Sequence, residues 1–304
     1  MQNINHLPFR YQLKAHIKLH IIIFIWGFTA VLGALIQLDY LSLTWYRMGL
    51  ASIFLFIYLV FQKTSRKELI EFDSKKQKQY ILGGIIIALH WLAFFYAIKV
   101  SNVSITLVAL SSGAFFTSIL EPVFFKRKIL FYEIFLGVLI LLGFYILFKI
   151  EKIELAGVMY ALIAAFLSGL FSVLNGIYVQ KQDAYVLSFY QLFYGFLFLT
   201  LILIFSEKLN HLPMPSPADW LYLIVLASIC TAYAFSASID VMKHLSPYTV
   251  MLSINLEPIY GIILAILFLG DKEMMSTGFY IGASFILIII LLNTIIKHFA
   301  KNQR

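Results

Sequence analysis

Ten apolar stretches, at about 20–37, 42–61, 80–98, 103–125, 130–148, 155–178, 186–206, 219–241, 247–269 and 276–296, follow one another with short separators. Each is near the roughly 20 residues that a helix needs to cross the hydrocarbon core. Lipid offers the backbone no hydrogen bonds, so a chain of this kind must become a bundle of helices. Hydrophobic residues make up 62% of the 304 and charged residues only 12%, about half the charged share of a soluble domain. No sizeable water-soluble domain fits between the runs. The net charge of +8 then belongs to loops at a membrane face and gives no reason to expect nucleic acid. Cys230 is the single cysteine, so no intrachain disulfide or cysteine zinc site can form. The polar, basic segment before Ile21 leads into an apolar run that ends at Gln37–Asp39 without a small-residue cleavage site, and reads as a retained first helix.

Orientation follows from Lys and Arg. With the N-terminus inside, the tails and inner loops hold Arg10, Lys14, Lys18, Lys63, Arg66, Lys67, Lys75, Lys76, Lys78, Lys126, Arg127, Lys128, Lys181, Lys243, Lys297, Lys301 and Arg304, which is 17 of the 23. The outer loops hold five: Lys99, Lys149, Lys152, Lys208 and Lys272. Both termini are therefore expected in the cytoplasm.

Ten spans invite a comparison of two halves of five. An offset of 144 residues maps Lys99 to Lys243, Ile119-Leu120 to Ile263-Leu264, Phe124 to Phe268 and Lys128 to Lys272, and places Arg47 opposite Gln191. An odd number of spans per copy means that the copies are inverted relative to each other. The expected fold is all-α and polytopic: ten transmembrane helices in two inverted five-helix repeats, residues 1–150 and 151–304, forming one integral membrane unit.

The ninth span carries Glu257-Pro258 near its middle. A carboxylate so deep costs roughly 2.5–3.5 kcal/mol on insertion scales, and Pro258 removes a backbone donor and kinks the helix. The bland reading is a tolerated kink with a protonated carboxyl; the functional one is a site on a transport pathway. Glu121-Pro122 in the fourth span looks like a second copy but is not its repeat mate. The offset pairs Glu257-Pro258 with Gly113-Ala114, eight residues away, or about 12 Å along a helix. Glu257 should lie near the midplane and Glu121 near the cytoplasmic end.

The chain resembles the EamA family of the drug/metabolite transporter superfamily. The resemblance rests on Trp26-Gly27 in the first span, Tyr46-Arg47 in the second, Leu256-Glu257-Pro258 in the ninth and Leu267-Phe268-Leu269-Gly270-Asp271 closing it. It implies a secondary carrier of the inner or plasma membrane, often an exporter of amino acids, related metabolites or drugs. It also implies a central cavity lined by spans one to four and six to nine. The fourth span departs from the pattern, with Ala114 where a proline is usual and Arg127 where an acid is.

Polar residues inside the spans are the candidates for substrate contact: Glu257, Arg47, Trp26, Ser111, Glu121, Asn175, Gln191, Ser253, Tyr260 and His90. Ser104, Ser111, Ser118 and Glu121 fall on one face of a continuous fourth helix, as do Ser168, Ser172 and Asn175 in the sixth, Ser228, Thr231 and Ser238 in the eighth, and Ser253, Glu257 and Tyr260 in the ninth. Such stripes line water or allow helices to approach. Arg47 either snorkels toward Asp39 or faces the cavity as an anion contact. His90 is a packing residue or a cavity residue, and Trp26 lines the cavity or meets lipid. Asn255 points elsewhere. Gly278 and Gly282 in the tenth span suit close packing or a homodimer.

No HExxH, GxSxG or P-loop is present, so neither an enzyme nor an ATP-driven pump is indicated. No cofactor or metal is expected. The partners expected are the lipid bilayer, a small-molecule substrate and a coupled proton. The function expected is alternating-access transport of small metabolites, as an exporter of amino acids or related compounds; the alternatives are a multidrug or cationic exporter of the same fold, an intramembrane enzyme, or a membrane receptor. A membrane-impermeant thiol reagent applied outside intact cells should label Lys208→Cys and leave Lys76→Cys unlabelled; labelling at position 76 would reverse the topology.

Overall fold

The computed structural model describes residues 9–62, 68–71, 73–126, 135, 138–139, 142–143 and 155–302. No strand occurs among them. The long helices are α1 (Phe9–Leu35), α2 (Tyr40–Phe61), α3 (Ser74–Val100), α6 (Leu155–Tyr178), α7 (Ala184–Phe205) and α12 (Thr277–Asn302). Three expected spans are interrupted. The fourth is α4 (Val103–Leu110) then α5 (Gly113–Phe124), the eighth is α8 (Pro217–Ala227), a π-helical Ser228–Tyr233 and α9 (Ala234–Val241), and the ninth is α10 (Pro247–Ile254) then α11 (Glu257–Leu269). Among the described residues, eight helical spans are long and apolar enough to cross a membrane, and Thr277–Ile289 is a shorter apolar helix. The expected fifth span, 130–148, lies almost wholly outside the described residues, as do Lys63, Arg66, Lys67, Arg127, Lys128, Lys149, Lys152 and Arg304 of the charge count.

The side chains are distributed for lipid as solvent. Ile53, Phe56, Ile57 and Phe61 of α2 and Leu201, Ile204 and Phe205 of α7 are exposed, while Arg47, Gln191 and Glu257 are buried. Continuous exposed apolar surface of this kind is what a membrane covers.

The two halves repeat in their element boundaries. Helices α2 and α7, and likewise α4 and α10, start 144 residues apart, and α5 and α11 do too. The caps repeat as well. Asp39 accepts from Leu41 and Ser42 N–H, and Asp183 from Tyr185 and Val186 N–H. Asn102 accepts from Ile105 N–H, and Ser246 from Thr249 N–H. Each satisfies a first-turn donor that has no partner in its own helix.

Loops gather at two ends. At one, Gln37 N–H donates to Asp219 at 2.8 Å and Lys99 Nζ to the Ile36 carbonyl at 2.5 Å; this is the Asp39 end. At the other, Gln180 Nε2 donates to the Met242 carbonyl at 2.9 Å, and Asp240 pairs with Lys18 at 2.8 Å and Lys243 at 3.0 Å; this is the Ser246 end.

Helix α3 packs along α6 and α7, α1 along α11, and α2 along α7. Lipid gives helices little hydrophobic reason to associate, so close backbone approach matters. A Cβ on Gly84 would stand 2.5 Å from the Gln191 carbonyl and 2.8 Å from the Gly195 nitrogen, both backbone atoms of α7. A Cβ on Gly49 would meet only the Phe196 ring, at 2.9 Å. Gly84→Ala should therefore destabilise by about 1–3 kcal/mol through a forced helix shift. Gly49→Ala should cost less, because a ring can turn. Thermal melting of the detergent-solubilised variants tests the order.

Candidate functional site

The interrupted spans help to wall one central cavity. A cavity of about 60 Å³ lies between spans one, two, three, four, six, eight and nine, room for a few water molecules. Its polar wall is Thr29, Arg47, His90, Ser168, Ser172, Ser238 and Glu257, and its aromatic wall is Trp26, Trp91, Phe94, Phe171 and Phe235.

Arg47 is 1% exposed, although it lies only two turns into α2. Its Nε donates to Thr231 Oγ1 at 2.7 Å, and the guanidinium stands 4.0 Å from the Trp91 ring centroid. A desolvated cation over an aromatic face gains about 2 kcal/mol. Arg47 Nη1 has no hydrogen-bond partner among the described residues, so donors remain for an anion. Snorkelling toward Asp39 does not occur: Asp39 instead caps α2.

The π-helical turn of the eighth span organises this wall. Its wider winding leaves the Cys230 carbonyl to accept from Trp26 Nε1 at 3.1 Å, and Thr231 Oγ1 donates to the Leu226 carbonyl at 2.7 Å while it accepts from Arg47. The same winding separates Ser228 from Thr231 and Ser238. The expected single stripe is split, and Ser228 lies in a different groove, with Phe54 and Tyr58.

Glu257 is the first residue of α11, with Pro258 at the second position, where its missing N–H costs nothing. The expected kink is a tightened turn at Asn255–Leu256, where the N–H groups bond three residues back instead of four, and its repeat mate is the tightened turn at Ser111–Ser112. The Glu257 carboxylate accepts no hydrogen bond among the described residues, and it is not within ion-pair distance of Arg47. His90 Nδ1 donates to the Ala164 carbonyl at 2.8 Å, tying α3 to α6, and its ring meets Phe171 edge-on.

Four of the ten sequence candidates, Glu257, Arg47, Trp26 and His90, share this cavity. The other six line other contacts. Ser111 Oγ donates to the Val108 carbonyl and Ser253 Oγ to the Thr249 carbonyl, and Tyr260 packs edge-on against Phe24 in α1. Glu121 accepts from Tyr248 N–H at 2.9 Å. Gln191 Nε2 donates to Asn175 Oδ1 at 2.6 Å, a fully buried pair whose other amide atoms, Gln191 Oε1 and Asn175 Nδ2, have no partner among the described residues. Asn255 Nδ2 also lacks a partner there. Among the described residues no three His, Cys, Asp or Glu side chains converge on a metal position.

The two acidic residues should separate in stability. Glu121→Gln weakens a bond to a charged acceptor, worth roughly 1.5–3 kcal/mol, and should lower the melting temperature. Glu257→Gln removes a carboxylate that has no such bond, and should leave the melting temperature unchanged or higher.

Solved structures place the fold among known ones. A solved structure described as "Crystal structure of protein" superposes with a TM-score of 0.68 over 94% of this chain and 98% of its own, at 15% identity. No curated protein matches the chain. The model of the EamA-like transporter family matches residues 13–149 and again 155–295, one copy in each half. The chain, a multi-pass helical membrane protein with two such repeats, belongs to the EamA-like transporter family.

Proposed function

We propose that the protein is a secondary active transporter that exports amino acids or related small zwitterions by alternating access, with both termini in the cytoplasm of an inner- or plasma-membrane setting. One observation carries the reading. Arg47 and Glu257 are buried in one cavity wall without contacting each other. Opposite buried charges held apart are costly unless something bridges them. A zwitterion does so, with its carboxylate on Arg47 Nη1 and its ammonium on Glu257. Membership in a family of small-molecule transporters supports this class of function, and the aromatic wall suits an apolar side chain. A coupled proton is the natural counter-ion, since a buried carboxyl can exchange an ammonium for a proton.

An exporter of plain cations is the second reading, favoured by Glu257 among Trp26, Phe94 and Phe171, but it leaves Arg47 without a role. In proteoliposomes, Glu257→Gln should abolish the pH dependence of transport while leaving membrane insertion intact. Arg47→Gln should weaken transport of amino acids by tenfold or more, the order of one charge-assisted bond, and spare the corresponding decarboxylated amines. Equal loss for acids and amines would remove Arg47 from carboxylate recognition, and an unchanged pH profile in Glu257→Gln would make that residue structural.

A further inference from the structure

The fourth and ninth spans lie antiparallel, with α4 against α11 and α5 against α10. At each end, a carboxylate from one span is fastened to the first turn of the other. At the Asp39 end, Glu273 follows α11 and is buried. Its Oε1 accepts from Val103 N–H at 3.1 Å, and its Oε2 accepts from Ser104 N–H at 3.1 Å and Ser104 Oγ at 3.0 Å. At the Ser246 end, Glu121 in the last turn of α5 accepts from Tyr248 N–H at 2.9 Å through Oε2. Ser104 and Tyr248 are 144 residues apart, so the two clasps hold equivalent points of the two repeats. First-turn N–H groups lack partners in their own helix, and the positive helix end favours an anion. Neither carboxylate lines the cavity. Between the clasps, the tightened turns at Ser111–Ser112 and Asn255–Leu256 divide each span into two half-helices.

We propose that Glu273 and Glu121 are the gating residues of the transport cycle: the Glu273 clasp closes the cavity toward the Asp39 end, the Glu121 clasp closes it toward the Ser246 end, and they release in alternation. The proposal rests on the alternating-access reading. Both clasps are engaged in this structure.

Accessibility tests it without any substrate. In a Cys230→Ala background, the cavity residue Ser172→Cys serves as reporter, labelled in membranes from either side by an impermeant maleimide. Glu273→Gln should raise labelling from one side and Glu121→Gln from the other, each by roughly tenfold, the worth of a hydrogen bond to a charged group. Ser104→Ala removes one bond of the Glu273 clasp and should shift labelling in the Glu273→Gln direction by less; it decides the matter if Glu273→Gln fails to fold. Shifts to the same side, or none in folded protein, would overturn the proposal. Transport by wild-type protein with no labelling shift would remove the clasps alone. Opposite labelling shifts in a protein that transports nothing would keep the clasps and remove the transport reading.

Discussion

In lipid, backbone donors and acceptors find partners only within the protein. This protein departs from the regular α-helical ladder at Ser111–Ser112, at Asn255–Leu256 and through the π turn at Ser228–Tyr233. All three departures adjoin the central cavity, where neighbouring spans can supply what the helix has lost. At the π turn, the Cys230 carbonyl meets Trp26 of the first span. Irregular backbone and buried polar side chains thus occupy the same place for the same physical reason.

The charges follow from that frame. Arg47 is tolerated at 1% exposure because Thr231 accepts from Nε and Trp91 presents its ring face. Remove the aromatic wall and the cation would be stranded. Glu257 begins a half-helix, where the dipole favours negative charge, and this eases the cost of holding it deep. The two residues share one cavity without forming an ion pair.

Much of the fold was legible in the sequence. Span lengths located the helices, and the 144-residue offset anticipated a repeat that reappears in the starts of α4, α5, α10 and α11. Asp39 with Asp183, and Asn102 with Ser246, carry the same offset as helix caps, a signal that short polar residues at helix starts make readable. The irregular turns were less visible. Pro258 suggested a kink because a proline usually bends a helix; placed second in α11, it marks a start instead. Nothing in Leu110-Ser111-Ser112-Gly113 resembles a proline signal, although Gly113 opposite Glu257 in the repeat locates the matching turn. The π turn in Ser228–Tyr233 has no Gly or Pro to announce it. Trp91 and Phe171 were hidden among aromatics at 17% of the chain, since ring frequency alone cannot say which rings face inward. The stripe reading of the fourth span assumed one unbroken helix, so Ser111 satisfies its own helix and Glu121 the neighbouring one.

The equivalence of the halves is incomplete in a way that bears on energetics. Arg47 faces Gln191 across the repeat, and Val103, whose N–H meets Glu273, corresponds to Pro247, which has no N–H to offer. An inverted-repeat carrier passes between its two access states by exchanging the conformations of its halves. In the proposed cycle, halves of unlike chemistry make the two access states unequal in free energy. That inequality sets how tightly substrate is captured from each face. Under that proposal it leaves the direction of net movement to the gradients that drive transport.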